Sequence, residues 1–253
     1  MARMKPFAVI SDIHGNLEAL QAVLARIDAL GIDTIYSLGD VIGYGADPEA
    51  CLRLVEKRCH RRLLGNHEHA VLYAAAGVGF TELARKALDW TRERIRRADL
   101  FDLISGLSPA YRQGDIYFAH GTVRNPLHEY LRESDSNGYS TFDEMAQSLE
   151  RDFVDFRICF IGHNHHPFLA TVEGFLHPHE GLSEFHVSGD HKFYLSVGSV
   201  GQPRDGDPRA CFVTFDDSRV IFHRVAYPFA ITAEKILAAG LPKFLADRLA
   251  GGQ

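Results

Sequence analysis

A chain of 253 residues with 46% hydrophobic content can bury a full core, as one large domain or two small ones. Its net charge of −6 excludes the broad basic surface that nonspecific duplex binding needs, and no apolar run reaches the ~20 residues of a membrane span. Cys51, Cys59, Cys159 and Cys211 lack Cys-x-x-Cys spacing, so free buried thiols in a reducing compartment are expected rather than a zinc site or disulfide frame.

Met1 to Pro6 carries charge, but Asp12 and His14 interrupt any apolar segment behind it, so no signal peptide is read and a cytoplasmic location is expected. Phe7-Ala8-Val9-Ile10-Ser11 reads as a strand buried on both faces. Asn16 caps a helix with Leu17, Leu20, Val23, Leu24 and Ile27 at helical spacing, ended by Gly31. Thr34 to Leu38 is a second strand, completing a βαβ unit. A short helix from Pro48 to Val55 and a strand at Arg62-Leu63-Leu64 follow. A longer helix is predicted from Thr81 to Arg97, with Leu83, Ala87, Trp90 and Ile95 inward; its four arginines read as a solvated face with acidic partners.

Beyond Pro109 the pattern turns strand-rich. A hairpin is predicted from Ala110 to Gln113 and Ile116 to Ala119, then a polar loop and a helix near Phe142 to Leu149. Further strands are read at 157–161, 168–172, 184–187, 193–197, 211–215 and 220–225. The tail from Thr232 to Leu249 reads as helical and polar enough to lie on the surface. Without a linker or internal repeat, residues 1–253 read as one domain with a helical tail over about 230–253. Two packed sheets with helices outside are expected.

Five short polar stretches punctuate this pattern: Asp12-Ile13-His14, Gly39-Asp40, Gly65-Asn66-His67-Glu68, His120-Gly121 and Gly162-His163-Asn164-His165. Four of them, all but the last, are read as standing directly after apolar strand-like runs, where α/β sheets place their sites. Asp12 and His14 are two apart, as are His163 and His165, so in extended backbone each pair would face one side. Singly, Asp12 and Asp40 read equally well as turn residues and His120 as a core histidine. Together they read as a metal centre. Carboxylates, an amide oxygen and imidazoles favour manganese, iron or zinc over calcium. The set exceeds one tetrahedral site and suits two ions about 3.5–4 Å apart.

These motifs, in this order and over nearly the whole chain, resemble the signature of the calcineurin-like metallophosphoesterases. Gly43-Tyr44-Gly45 and Gly198 to Arg204 further resemble a bacterial branch of predicted phosphoesterases. The resemblance implies an α/β (α+β) fold, a four-layer αββα sandwich of two mixed sheets flanked by helices. It implies one ion at Asp12, His14, Asp40 and His165, another at Asp40 (bridging), Asn66, His120 and His163, and His67 beside them as the catalytic histidine. The implied activity is hydrolysis of phosphodiester or phosphomonoester bonds in a small phosphorylated substrate, a nucleotide among the candidates. The alternatives are a non-catalytic metal-binding scaffold or a nuclease of the same fold; Lys57, Arg58, Arg61 and Arg62 are the stretch that would begin a basic groove, a solvated strand edge being the competing reading.

Two departures stand out. Related protein phosphatases read Gly-Asp-x-x-Asp-Arg-Gly where this chain has Gly39-Asp40-Val41-Ile42-Gly43-Tyr44-Gly45, so both the carboxylate that would orient His67 and a phosphate-gripping arginine are missing. Ser196 stands where relatives often carry Asn. Arg204 is the candidate for an extra phosphate contact, against a surface turn with ion pairs inside Arg204-Asp205-Gly206-Asp207. Tyr44 is a candidate for the substrate mouth, a buried aromatic being the competing reading. His69 and His166 read as neighbours of the motifs, and His177 and His179 as solvent-facing.

Overall fold

β1 (Phe7–Ile10) divides its side chains between two cores. Ala8 and Ile10 pack with Leu20, Val23, Leu24 and Ile27 of α1 (Leu17–Ala29), whereas Phe7 and Val9 meet the aromatic residues of a second sheet. A strand enclosed on both sides needs an apolar residue at every position, which is the form of this run. Asn16 caps α1 as its sequence position predicts, accepting the Ala19 N–H at 3.1 Å. The computed structural model describes residues 4–73, 80–131, 133, 142–187, 191–216 and 218–253.

In the first sheet, β2 (Thr34–Ser37) runs parallel to β1 and β3 (Arg61–Arg62) parallel to β2. On the other edge of β1 come β11 (Ala210–Phe215), β12 (Arg219–Val225) and β9 (Glu184–His186), all antiparallel to their neighbours. The second sheet has the order β4 (Ala110–Gln113), β5 (Ile116–Ala119), β6 (Ile158–Ile161), β10 (Phe193–Val197), β7 (Pro167–Thr171) and β8 (Gly174–Leu176). The inner faces interlock through aromatic rings: the Phe7 centroid lies 5.4–5.9 Å from those of Phe118, Phe160 and Phe215. Such pairs add about 0.5–1.5 kcal/mol each beyond their buried area. Outside, α1, α2 (Pro48–Arg58) and α4 (Glu82–Arg97) cover the first sheet, and α6 (Phe142–Arg151) covers the second through Leu149. The expected four-layer sandwich of two mixed sheets is the observed architecture.

β1, β2, β3, β5, β6 and β10 run parallel within their sheets wherever they pair with one another. Their carboxyl ends therefore open on the same side of each sheet, and the polar stretches lie just beyond them. Gly162 directly follows β6, so the fifth stretch obeys the strand-end rule as well.

Several expectations are corrected. Leu83 is 38% exposed rather than inward; the buried stripe of α4 is Ala84, Ala87, Leu88, Thr91 and Ile95, and at 100° per residue Leu83 stands about 100° around the helix from its centre. The tail forms α7 (Phe229–Ala238), α8 (Lys243–Asp247) and a 3₁₀ turn (Arg248–Gly251), and it does not merely lie on the surface. Leu241, Leu245 and Leu249 recur every four residues and are buried with Ile236 and Ala246 against Ala87, Trp90 and Tyr44. β8 was not foreseen, and the pairing of β3 begins at Arg61 rather than Arg62. The polar loop ahead of α6 lies, over 134–141, outside the described residues.

The arginine-rich face of α4 is ion-paired as expected: Arg92 with Asp89, Arg94 with Glu49, and Arg96 and Arg97 with Glu93. Arg58 and Arg62 pair with Asp28 and Glu56, which neutralises much of the Lys57–Arg62 stretch. All four cysteines are free thiols, and burial pushes Cys59 and Cys211 up to about 12. No helix among the described residues is long and apolar enough to cross a membrane.

Candidate metal centre

The ligand loops converge from distant parts of the chain. His165 Nε2 lies 3.2 Å from Asp12 Oδ1 and 3.2 Å from His14 Nε2. On the other side, His120 Nε2 lies 2.9 Å from Asn66 Oδ1, 3.2 Å from His163 Nδ1 and 3.4 Å from Asp40 Oδ2. Asp40 Oδ2 is also 3.8 Å from His14 Nε2 and 4.0 Å from His67 Nε2, which places its carboxylate between the two groups. Asp12, His14 and His165 form one set with ligand atoms within 4.8 Å of one another, Asp40, His120 and His163 a second, and His14, Asp40 and His67 a third.

The backbone reaches this arrangement by a route that extended geometry does not describe. Asp12, His14, Asp40, Tyr44, His163 and His165 all have φ between 49° and 62°, in the left-handed region. Each such non-glycine residue costs on the order of 1–3 kcal/mol, and this strain is held by surrounding contacts. The expectation that Asp12 and His14, and likewise His163 and His165, face one side by strand alternation is corrected: they converge because the chain turns left-handed at each of them. The Asp12 carboxylate accepts the His163 N–H at 3.0 Å, which ties the first loop to the fifth.

Glu68, whose role was not foreseen, holds the Asp40 loop. Its buried carboxylate accepts four backbone N–H groups: Gly65 at 2.9 Å, Asp40 at 2.8 Å, Val41 at 2.8 Å and Ile42 at 3.1 Å. The Asp40 carboxylate in turn accepts the His67 N–H at 2.9 Å. Gly65 permits that closeness, because a Cβ there would sit 2.1 Å from Asp40 Oδ1. Burial first, then the Asp40 charge, pushes Glu68 up to about 7. Four donors nevertheless leave no lone pair for a proton, so we read the group as ionised.

The donor chemistry fits transition-metal ions. Nδ1 of His14, His120 and His165 faces the carbonyl oxygen of Ile42 (3.2 Å), Leu38 (3.1 Å) and Gln202 (2.6 Å) respectively. A carbonyl only accepts, so Nδ1 carries the proton and Nε2 presents a lone pair to the centre, the usual orientation of metal-binding imidazoles. Lone pairs brought to 3.2 Å repel unless a cation or a proton stands between them. Asp12 Oδ1 and His163 Nε2 are buried without a hydrogen-bond partner. Burial holds His14, His163 and His165 well below the usual histidine range. On His120 burial opposes the charge, but Asp40 and then Asp12 outweigh it and raise the group to about 9, so that without a cation its Nε2 would hold a proton. Asp12 itself is raised to about 7, chiefly by burial.

His67 is held without a carboxylate. A Cβ on Gly43 would lie 2.2 Å from His67 Nδ1, so the imidazole packs edge-on against bare backbone. That nitrogen is buried and unpartnered, and the ring is gripped by Tyr44, His14 and Phe80 at centroid distances of 4.6, 4.8 and 5.0 Å. Burial lowers its pKa to about 4, with Asp40 opposing. Tyr44 thus walls the site, and Arg204 lies beside it with its Cζ 6.0 Å from the Tyr44 ring. Asp205 and Asp207, the partners expected for Arg204, are paired with Arg224 and Arg209 instead. Ser196 donates to the His166 carbonyl and takes no place among the donors. Tyr130, not foreseen, stacks on His163 at 3.7 Å between centroids. His69 and His166 stay outside the donor groups, and His177 and His179 are exposed.

Comparison with known proteins bears on the family and the fold. The family model for calcineurin-like phosphoesterases matches residues 5–196. An uncharacterised protein of Methanocaldococcus jannaschii is 35% identical over 252 residues, covering 96% of both chains. The crystal structure of a metallophosphoesterase from Sphaerobacter thermophilus superposes with a TM-score of 0.83 at 35% identity, covering 98% of this chain and 100% of that one. A symmetrical bis(5'-nucleosyl)-tetraphosphatase of Delftia acidovorans is 35% identical over 141 residues, 47% of this chain and 50% of that protein. With the motif order, the paired sheets and the convergent donors, these likenesses place the chain among the calcineurin-like phosphoesterases, as a phosphoester hydrolase.

Proposed function

We propose that the protein hydrolyses phosphoester bonds in small phosphorylated molecules with two transition-metal ions held by Asp12, His14, Asp40, Asn66, His120, His163 and His165. The observation that carries this reading is the convergence of these seven residues in two groups with Asp40 between them. Bound there, manganese, iron or zinc would supply Lewis acidity that polarises phosphate oxygens and lowers the pKa of water. Asp40 shares its negative charge between both groups. His14, His120 and His165 stay oriented because each Nδ1–H is spent on a backbone carbonyl. His67, neutral by burial, presents a ring N–H that stabilises charge on the leaving oxygen. Tyr44 and Arg204 border the substrate side. The likeness over about half its length to a bis(5'-nucleosyl)-tetraphosphatase supports nucleotides as substrates.

The test is metal content after growth with manganese, iron or zinc, together with turnover of bis(4-nitrophenyl) phosphate, 4-nitrophenyl phosphate and single-stranded DNA, with and without EDTA. Two ions per chain and EDTA-sensitive turnover of a small ester are expected. One ion per chain would sink the two-ion assignment. Turnover of DNA alone would favour a nuclease, against which the ion-paired Lys57–Arg62 stretch already argues. Metal binding without any turnover would favour the scaffold reading.

A further inference from the structure

The four imidazoles proposed as ligands are not oriented alike. His14, His120 and His165 each turn Nδ1 to a backbone carbonyl, which fixes the ring and leaves Nε2 for a metal. His163 is reversed: its Nδ1 faces the centre, 3.2 Å from His120 Nε2, and its Nε2 is buried without a hydrogen-bond partner. A ring without such a tie can turn about its last side-chain bond and carry Nδ1 away from an ion. A different restraint has to hold it.

The Tyr130 ring lies against that of His163, with centroids 3.7 Å apart and planes 23° apart. An imidazole bound to a cation carries part of its charge, and a phenol presents an electron-rich face. The stack is therefore stronger with an ion in place than without one, and its energy appears as metal affinity. Half-buried Tyr130 reaches this position from the loop after β5, which is folded back on itself. The Gly121 N–H donates to the Pro126 carbonyl at 2.7 Å, and the Glu129 carboxylate accepts from the Thr122 hydroxyl and, at 2.5 Å, from Arg124 Nη2. The far end of the loop is fastened by Asn164, which is buried between two of the proposed ligands. Its Oδ1 accepts the Leu131 N–H at 3.0 Å, while its Nδ2 donates to the Gly162 carbonyl at 3.1 Å. The Asn164 amide is thus spent on holding the residue next to Tyr130 against the strand end that carries His163.

We infer that Asn164 and Tyr130 are positioning residues of the metal centre: Asn164 pins the end of the 121–131 loop, so that Tyr130 stacks on His163 and keeps its Nδ1 toward an ion, the duty that backbone carbonyls perform for the other three rings. Their role rests on the two-ion reading above.

The test titrates manganese calorimetrically into protein stripped with EDTA and dialysed. The proteins are the wild type, His163→Ala, Tyr130→Leu, Tyr130→Phe, Asn164→Ser and the Tyr130→Leu/Asn164→Ser double variant. His163→Ala identifies which of the two binding steps belongs to His163. Tyr130→Leu should weaken that step by roughly 3–10-fold, the worth of a ring stack, and leave the other within about twofold. Tyr130→Phe keeps the ring and should stay close to the wild type. Asn164→Ser, too short to reach the Leu131 N–H, should weaken the same step. The double variant should be no weaker than the weaker single one, because both changes act through one stack. Losses that add would mean that Asn164 does not act through Tyr130. An unchanged step in Tyr130→Leu, equal weakening of both steps, or a loss in Tyr130→Phe as large as in Tyr130→Leu would mean that the stack does not position His163. Each of these results overturns the inference. A wild type that takes up one ion counts against the two-ion reading, and the response of that ion to Tyr130→Leu then judges the stack. Two ions in the wild type with neither step sensitive to Tyr130→Leu count against the stack alone.

Discussion

Replacing Glu68 with glutamine removes the charge from a carboxylate surrounded by four backbone N–H groups. The amide oxygen can still accept two of them, but the amide nitrogen then confronts the other two as donor against donor. Each buried donor left unsatisfied costs about 1–3 kcal/mol, so the loss before relief is about 2–6 kcal/mol. Part returns, because the neutral side chain no longer suffers burial of a charge or repulsion from Asp40, the two causes that push Glu68 up to about 7. A net destabilisation of about 2–4 kcal/mol remains, equivalent in a chain of this size to a drop in Tm of roughly 5–15 °C. Melting in EDTA isolates this from metal linkage. The same loop carries Asp40 and the Ile42 carbonyl that orients His14, so manganese affinity should fall too. A Glu68→Gln protein that melts within about 1 kcal/mol of wild type would refute the reasoning. A protonated acid, like an amide, has one carbonyl acceptor and a donor in place of the second, so such silence would mean that Glu68 is neutral in the native state.

Gly43→Ala should displace the His67 ring, since the new methyl would start 2.2 Å from Nδ1 at a backbone φ of +91°; turnover should drop roughly 10²-fold with metal content unchanged. His67→Ala should lower turnover by roughly 10²–10⁴-fold, and less for esters with a 4-nitrophenolate leaving group than for alkyl esters. Losses that are equal across leaving groups would show that His67 only positions the phosphate. Asp40→Asn should reduce the metal content by about half and be more damaging than Asp12→Asn, because Asp40 faces both donor groups and offsets the repulsion between two cations; two ions retained at wild-type affinity would remove Asp40 from the bridging position. His223, lowered to about 4 by burial and stacked on Phe212, is protonated more readily unfolded than folded. Its contribution is therefore complete above the ordinary histidine pKa of about 6.5 and is lost as pH falls toward 4, so His223→Gln should flatten the decline in Tm between those values.

What the sequence determined by itself is what short-range pattern encodes. The apolar run of β1, the helical spacing of α1 behind its Asn16 cap and the alternation around Gly114 each fix a local conformation through nearest neighbours. No donor announces itself singly, since each also reads as a turn or core residue; the set of them, at the ends of apolar runs, marks the centre. The motif order then carried the family, and with it the layer architecture. Tertiary structure alone decided the rest, because the remaining questions concern residues far apart in the chain. His14 meets His165 across 151 positions because the two sheets pack face to face with parallel strands emptying their loops at one end. The left-handed turns at Asp12, His14 and Asp40 are imposed by that convergence, against local preference. Packing explains how His67 is held without a carboxylate: its ring lies against Gly43 and between Tyr44, His14 and Phe80, a space that only the folded backbone creates. Leu83 stays out of the core because it stands about 100° around α4 from the centre of the stripe that the sheet and the tail cover. The tail reads as surface by composition, yet three leucines four residues apart dock it on α4 and bring Arg248 to Gln202. No local signal marks that docking, because the surface the tail covers exists only once the whole chain is folded.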